Sequence, residues 1–102
     1  MKGWIVALLL MLPVLCAAAT EEPSRERGKY LFENDKLGSS GKSCASCHPG
    51  GRKLEWAATF EDDKLIRTVN ECIKKPLKGV PLDPASNDMK SLIMYIRTFA
   101  GP

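Results

Sequence analysis

Hydrophobic residues follow two patterns along the chain: one unbroken stretch near the amino terminus and, further along, residues recurring at intervals of three and four. The stretch covers residues 4–15, follows the single charge of Lys2 and precedes the small residues 17–19. A helix that spans a bilayer needs about 20 apolar residues, and this stretch is shorter and interrupted by Pro13. The layout therefore predicts a secretory signal peptide at residues 1–19.

The rest of the chain, residues 20–102, is then expected to be one exported domain with no stable membrane anchor after cleavage. Its periodic segments predict three amphipathic helices, at residues 24–34, 61–75 and 87–100. We find no strand pattern, so the predicted fold class is all-α. The predicted core face of the last helix consists of Met89, Leu92, Ile96 and Phe99.

Two features of these helices predict contacts. Gly28 lies inside the first helix, where glycine costs about 1 kcal/mol relative to alanine, so we expect a close approach of the last helix and its aromatic residues there. In the middle helix Leu65, Val69 and Cys72 share one face. We expect that face to be buried.

The strongest chemical signal is the sequence Cys-Ala-Ser-Cys-His at residues 44–48. This spacing is the attachment signature of haem c. Two thiols on one turn of chain can form thioethers with the two vinyl groups on one porphyrin edge, and the next residue can place its imidazole on the iron. We therefore predict one covalent haem c, attached through Cys44 and Cys47, with His48 as an axial iron ligand.

Zinc and a redox-active dithiol are the alternative interpretations of this motif. A structural zinc site needs four ligands, which Cys44, Cys47, His48 and Cys72 could just supply. A thioredoxin-type dithiol requires a βαβ context, which the sequence does not indicate. Because haem c is attached after export, the predicted signal peptide favours haem.

Charge gives little indication of a macromolecular ligand. The net charge is +3, and removing Lys2 with the signal peptide leaves +2, which two haem propionates would bring near zero. Nothing in the sequence argues for nucleic acid as a partner, since that requires a clustered basic face. Lys74, Lys75 and Lys78 form either a solvated turn or a docking patch for an acidic redox partner.

Taken together, these segments resemble the class I cytochrome c family over residues 24–100. The resemblance is carried by Gly-x-x-Leu-Phe at 28–32, by the haem motif and by the Tyr-Ile pair of the last helix. It implies a small cytochrome c fold, with three main helices packed around one covalently attached haem c. It also implies a periplasmic carrier of single electrons between redox partner proteins, with no catalytic residues.

The sequence does not decide which residue is the second axial iron ligand. That family usually carries a methionine in the loop before the last helix, and this loop contains none. Met89 and Cys72 are the two candidate residues, and a sixth iron position left open is the third alternative. Residues 65–73 are similar to the haem domains of thiosulfate dehydrogenases and of the haem subunit of the Sox complex, in which the cysteine at the Cys72 position is the distal iron ligand. This similarity implies the alternative function, the haem subunit of a sulfur-compound oxidoreductase. Trp56 and Phe60 are expected either to wall the haem or to pack in the core.

Overall fold

The computed structural model describes residues 22–101, and the predicted signal peptide lies outside this range. Within the range the chain is helical and contains no strand, which confirms the all-α prediction. None of the described helices is both long and apolar enough to span a bilayer. The α-helices are α1 (Arg25–Glu33), α2 (Cys44–Cys47), α3 (Asp62–Lys74) and α4 (Asn87–Arg97), and two 3-10 turns lie at Pro49–Gly51 and Ala57–Thr59.

The three predicted helices are α1, α3 and α4. Ser24 caps α1, and its side chain accepts a hydrogen bond from the backbone N–H of Arg27. Ser86 caps α4 in the same way, by accepting from the N–H of Met89. The carboxyl end of α4 lies at Arg97, three residues before the predicted end, because Thr98 begins a tighter turn whose N–H bonds to Tyr95.

Helices α1 and α4 cross at Gly28, as expected. A Cβ at Gly28 would collide with the backbone carbonyl of Ser91 and with Cβ of Tyr95, so only glycine allows this approach. The buried Ser91 hydroxyl accepts a hydrogen bond from the N–H of Ser24 (3.0 Å), which joins the start of α1 to the middle of α4. Aromatic rings close the crossing, with the centroids of Phe32 and Tyr95 5.3 Å apart.

Helix α3 packs its predicted apolar face inward. Leu65, Val69 and Ile73 are buried, and Cys72 beside them is half-buried. After the helix, a single antiparallel bridge pairs Gly38 with Gly79. This bridge ties the chain that enters the haem motif to the chain that leaves α3.

The predicted core face of α4 is largely confirmed. Met89, Leu92 and Ile96 are buried, Phe99 is half-buried, and Met94 on the opposite face is exposed. The half-buried Tyr95 and Phe99 pack against the same hydrophobic core. The core therefore lies between α1, α3 and α4, and the haem motif forms one of its borders.

Candidate functional site

The haem motif folds into a short helix with its own cap. The side chain of Ser43 accepts a hydrogen bond from the N–H of Ser46, and the Ser46 hydroxyl accepts one from the N–H of Ser43. This reciprocal pair fixes the start of α2. The N–H of His48 bonds to the carbonyl of Cys44 (2.9 Å), so the histidine follows the first cysteine by one helical turn.

The two motif cysteines have different surroundings. Cys44 is buried, whereas Cys47 is exposed. Burial, together with a smaller contribution from the neighbouring Cys72 thiol, raises the pKa of the Cys44 thiol to about 12. One thiol of the motif therefore belongs to the core and the other to the surface.

A cavity of about 110 Å³ opens beside the motif. This volume is below the range typical of small-molecule and cofactor sites. Its walls are mainly apolar and come from all the α-helices and from the loop after the motif. The lining residues are Phe32, Cys44, His48, Leu54, Ala57, Leu65, Thr68, Val69, Cys72 and Ile96.

The imidazole of His48 is oriented by a backbone group. Its Nδ1 atom lies 2.9 Å from the carbonyl oxygen of Arg52. A carbonyl only accepts hydrogen bonds, so Nδ1 carries the proton and Nε2 retains its lone pair. Metal-bound histidines commonly have this arrangement, in which the second ring nitrogen donates to an oxygen.

Cys72 and Met89, the two candidates for the second axial position, occupy different environments. Cys72 lines the cavity from α3, together with Thr68 and Val69. Met89 is fully buried in the core and is not among the cavity-lining residues. Of these two candidates, therefore, only Cys72 lines the same cavity as His48.

Burial raises the pKa of the Cys72 thiol, and the nearby Cys47 thiol adds to this effect. With a raised pKa, the Cys72 thiol stays protonated near neutral pH in its protein surroundings alone. Metal ligation, however, requires the thiolate. A cation in the cavity would supply the missing stabilisation of the thiolate.

The alternative interpretations of the motif fit the described residues less well. Between residues 22 and 101 no three His, Cys, Asp or Glu side chains converge closely enough to hold a metal ion. The cavity is therefore lined by Cys44, His48 and Cys72, but these three side chains do not converge on one point. A redox dithiol of the thioredoxin type would need a sheet, and this part of the chain contains no strand.

The residues around the cavity fit a haem in their chemistry. The cavity combines apolar walls, a histidine with a free Nε2 and a thiol on another wall, and the motif places its two cysteines beside it. The donor set suits iron held between nitrogen and sulfur ligands.

The two aromatic residues of the following loop do not line the cavity. Trp56 is 77% exposed, so neither walling the haem nor core packing describes it, while Phe60 is half-buried against the core. Leu54 and Ala57 line the cavity on this side instead. Arg97 holds the turn in place by donating to the carbonyl of Ala58 at 2.9 Å.

The sequence analysis missed several residues of this site. The Ser43–Ser46 cap was detectable, because serines three residues apart at a helix start are a known capping pattern. The carbonyl of Arg52 gave no signal, since any residue supplies the same group. Thr68 was also detectable, since it precedes Cys72 by four positions and lies on the same helix face.

Comparison with known proteins finds no matching family profile, no similar curated protein and no similar solved structure.

Proposed function

We propose that this protein is an exported, periplasmic c-type cytochrome of the class I type that carries single electrons between redox partner proteins. One haem c would be attached through Cys44 and Cys47, with His48 as one axial iron ligand and Cys72 as the other. The observation that supports the proposal most strongly is that His48 and Cys72, from two separate elements, line one apolar cavity beside the attachment motif.

When bound, the haem supplies a one-electron redox couple. His48 would offer Nε2 to the iron, while its Nδ1–H donates a hydrogen bond to the carbonyl of Arg52 and holds the ring in one orientation. Phe32, Leu65 and Ile96 exclude water from the cavity walls. In such a dry environment the protein reorganises little when one electron is gained or lost.

Cys72 would set the redox potential. Its thiolate places a negative charge against the iron, which favours the ferric state and lowers the potential. Met89 would act in the opposite direction, because a neutral thioether favours the ferrous state. With Met89 buried outside the cavity, we expect a low-potential carrier.

The test is reversible reduction of the haem-loaded mature protein. We expect complete reduction by one electron per chain, complete reoxidation by ferricyanide and no loss of colour over repeated cycles. Carbon monoxide should not bind rapidly, because both axial positions are filled. A rapid carbon monoxide complex, or bleaching on cycling, would contradict a sealed electron carrier.

The haem subunit of a sulfur-compound oxidoreductase is the second candidate function, and the position of Cys72 in the cavity is the observation that favours it. Adding thiosulfate to the oxidised protein separates the two functions. A carrier stays oxidised, whereas an oxidoreductase centre is reduced at a rate that depends on thiosulfate concentration and is lost in Cys72→Ala.

A further inference from the structure

A groove runs along the outer face of α3, opposite the face that lines the core. Its walls are α3 and the extended connector at residues 81–84, and it encloses about 1020 Å³ of space open to solvent. The side-chain amide of Asn70 fixes the connector by donating to the carbonyl of Leu82 and accepting from its N–H, both at 2.9 Å. The groove is therefore a fixed feature of the surface.

Positive charge dominates this groove. Three cations line it, from Lys64, Arg67 and Lys74. The one carboxylate, Glu71, lies 3.5 Å from both Lys74 and Lys75, and these lysines lower its pKa. With three cations and one carboxylate among its lining residues, the groove carries a net positive charge.

An exposed aromatic residue extends the same surface. The ring of Trp56 packs edge-on against Phe60, with centroids 5.7 Å apart, and Nζ of Lys64 lies 4.1 Å from the Phe60 centroid. Trp56 itself is 77% exposed. Exposed tryptophans are rare on monomer surfaces and frequent at the centre of protein interfaces.

The groove adjoins the haem cavity. Thr68 is the one residue that lines both, because it lies on the edge of α3 between the outer and inner faces. Its hydroxyl donates to the carbonyl of Lys64 (2.8 Å), so its side chain is fixed. A protein seated in the groove would be separated from the cavity by one helix.

From these observations we propose that the outer face of α3, with Trp56 at its edge, is the docking surface for an acidic electron-transfer protein. This inference rests on the proposed function, because the partner is the protein that exchanges electrons with the haem. The cations are long, exposed side chains without a buried polar group among them. Such side chains suit a broad acidic surface better than a small oxyanion, which needs preformed donors.

The turn after α3 is the rival surface, since Lys75 and Lys78 are also exposed there. It lacks both the concave shape and the exposed tryptophan. Among the described residues, the groove is where cations, an exposed aromatic ring and a cavity wall occur together.

The experiment measures electron transfer from a reduced acidic flavodoxin, used as the probe partner, to the oxidised haem-loaded protein in a stopped-flow instrument. Lys64→Gln with Arg67→Gln removes two charges from the groove. Lys29→Gln with Lys90→Gln removes two from exposed positions on α1 and α4, and is the matched control.

A third pair, Lys75→Gln with Lys78→Gln, tests the rival turn. Trp56→Ala tests the aromatic contact without changing charge. Reduction by the 5-deazariboflavin radical, a small neutral reductant of very low potential, checks that the haem of every variant reacts normally.

We expect the groove pair to lower the bimolecular rate about five- to tenfold at low ionic strength, with the difference disappearing as salt is added. The control pair should change the rate less than about twofold. Trp56→Ala should lower the rate at every salt concentration, because its contact is not electrostatic.

Equal losses in the groove and control pairs would show that only net charge matters and would overturn the proposal. A larger loss in the turn pair would overturn it in favour of that surface. A mature protein without covalent haem would instead refute the proposed function itself, which is visible before any partner is added.

Discussion

Nδ1 of His48 lies 2.9 Å from the backbone carbonyl oxygen of Arg52, and this contact determines which ring nitrogen is free to bind a metal. The acceptor belongs to the backbone, so its position depends on the turn at 49–52 and not on the arginine side chain. Gly50 and Gly51 in that turn both have positive φ, at 63° and 80°. Their surroundings differ, which makes the contact testable.

Gly51→Ala should disturb the turn more than Gly50→Ala. Both substitutions place alanine in the left-handed region, at a cost of about 1–2 kcal/mol each. A Cβ at Gly51 would also collide with the Phe99 ring, whereas a Cβ at Gly50 meets no atom within 4 Å. We expect Gly51→Ala to lower the free energy of unfolding, measured by urea titration, by about 1–3 kcal/mol more than Gly50→Ala does.

Gly50→Ala is the matched control, because it has the same backbone requirement without the collision. We also expect Gly51→Ala to raise the midpoint potential, since a weaker hydrogen bond from Nδ1 makes the imidazole less electron-donating. Equal stability and equal potential in the two variants would show that the Phe99 contact does not support the His48 turn.

Cys72→Ala should change the low-spin electron paramagnetic resonance signals of the oxidised protein and raise its midpoint potential. The reason is the loss of a negative ligand that stabilises ferric iron. Met89→Leu should leave both unchanged, because Met89 is buried in the core and does not line the cavity.

Met89→Leu conserves volume, so it should cost less than about 1.5 kcal/mol of unfolding free energy and keep the protein folded for the comparison. If Met89→Leu abolished a long-wavelength thioether band while Cys72→Ala left the spectra intact, the ligand assignment would have to be reversed.

Gly28→Ala should destabilise the crossing of α1 and α4. Alanine favours the helix by about 1 kcal/mol, but the added Cβ collides with the backbone carbonyl of Ser91, which cannot rotate away. We expect a net loss of about 2 kcal/mol in the free energy of unfolding. Lys29→Ala, at the exposed neighbouring position, is the control; a similar loss there would show that the crossing is not the cause.

The periodic part of the fold was predictable because side-chain burial repeats with the helix. Local spacing predicts the positions of α1, α3 and α4 and the inward face of α3 with Cys72. It also predicts the glycine at the crossing of α1 and α4. The short helix α2 was not predicted as a helix, because its four residues are too few for a period and it depends on the Ser43 cap.

The site was only partly predictable from the sequence, for a similar reason. The motif identifies Cys44, Cys47 and His48 by spacing alone, but the choice between Cys72 and Met89 depends on which residue lines the cavity. Trp56 shows the limit most clearly: its spacing from Phe60 suggested a buried pair, yet the turn at 57–59 leaves its ring largely in solvent. Such three-dimensional relations leave no periodic trace in the sequence.

The central claim is that Cys44 and Cys47 hold one haem covalently. Its most direct test is the intact mass of the mature protein, expressed with a functioning haem-attachment system and denatured in acid before measurement, with Cys44→Ala/Cys47→Ala as the control. We predict a mass increased by one porphyrin with its iron in the unaltered protein, and no such increase in the control. A colourless protein whose mass equals that of the bare polypeptide would contradict the account.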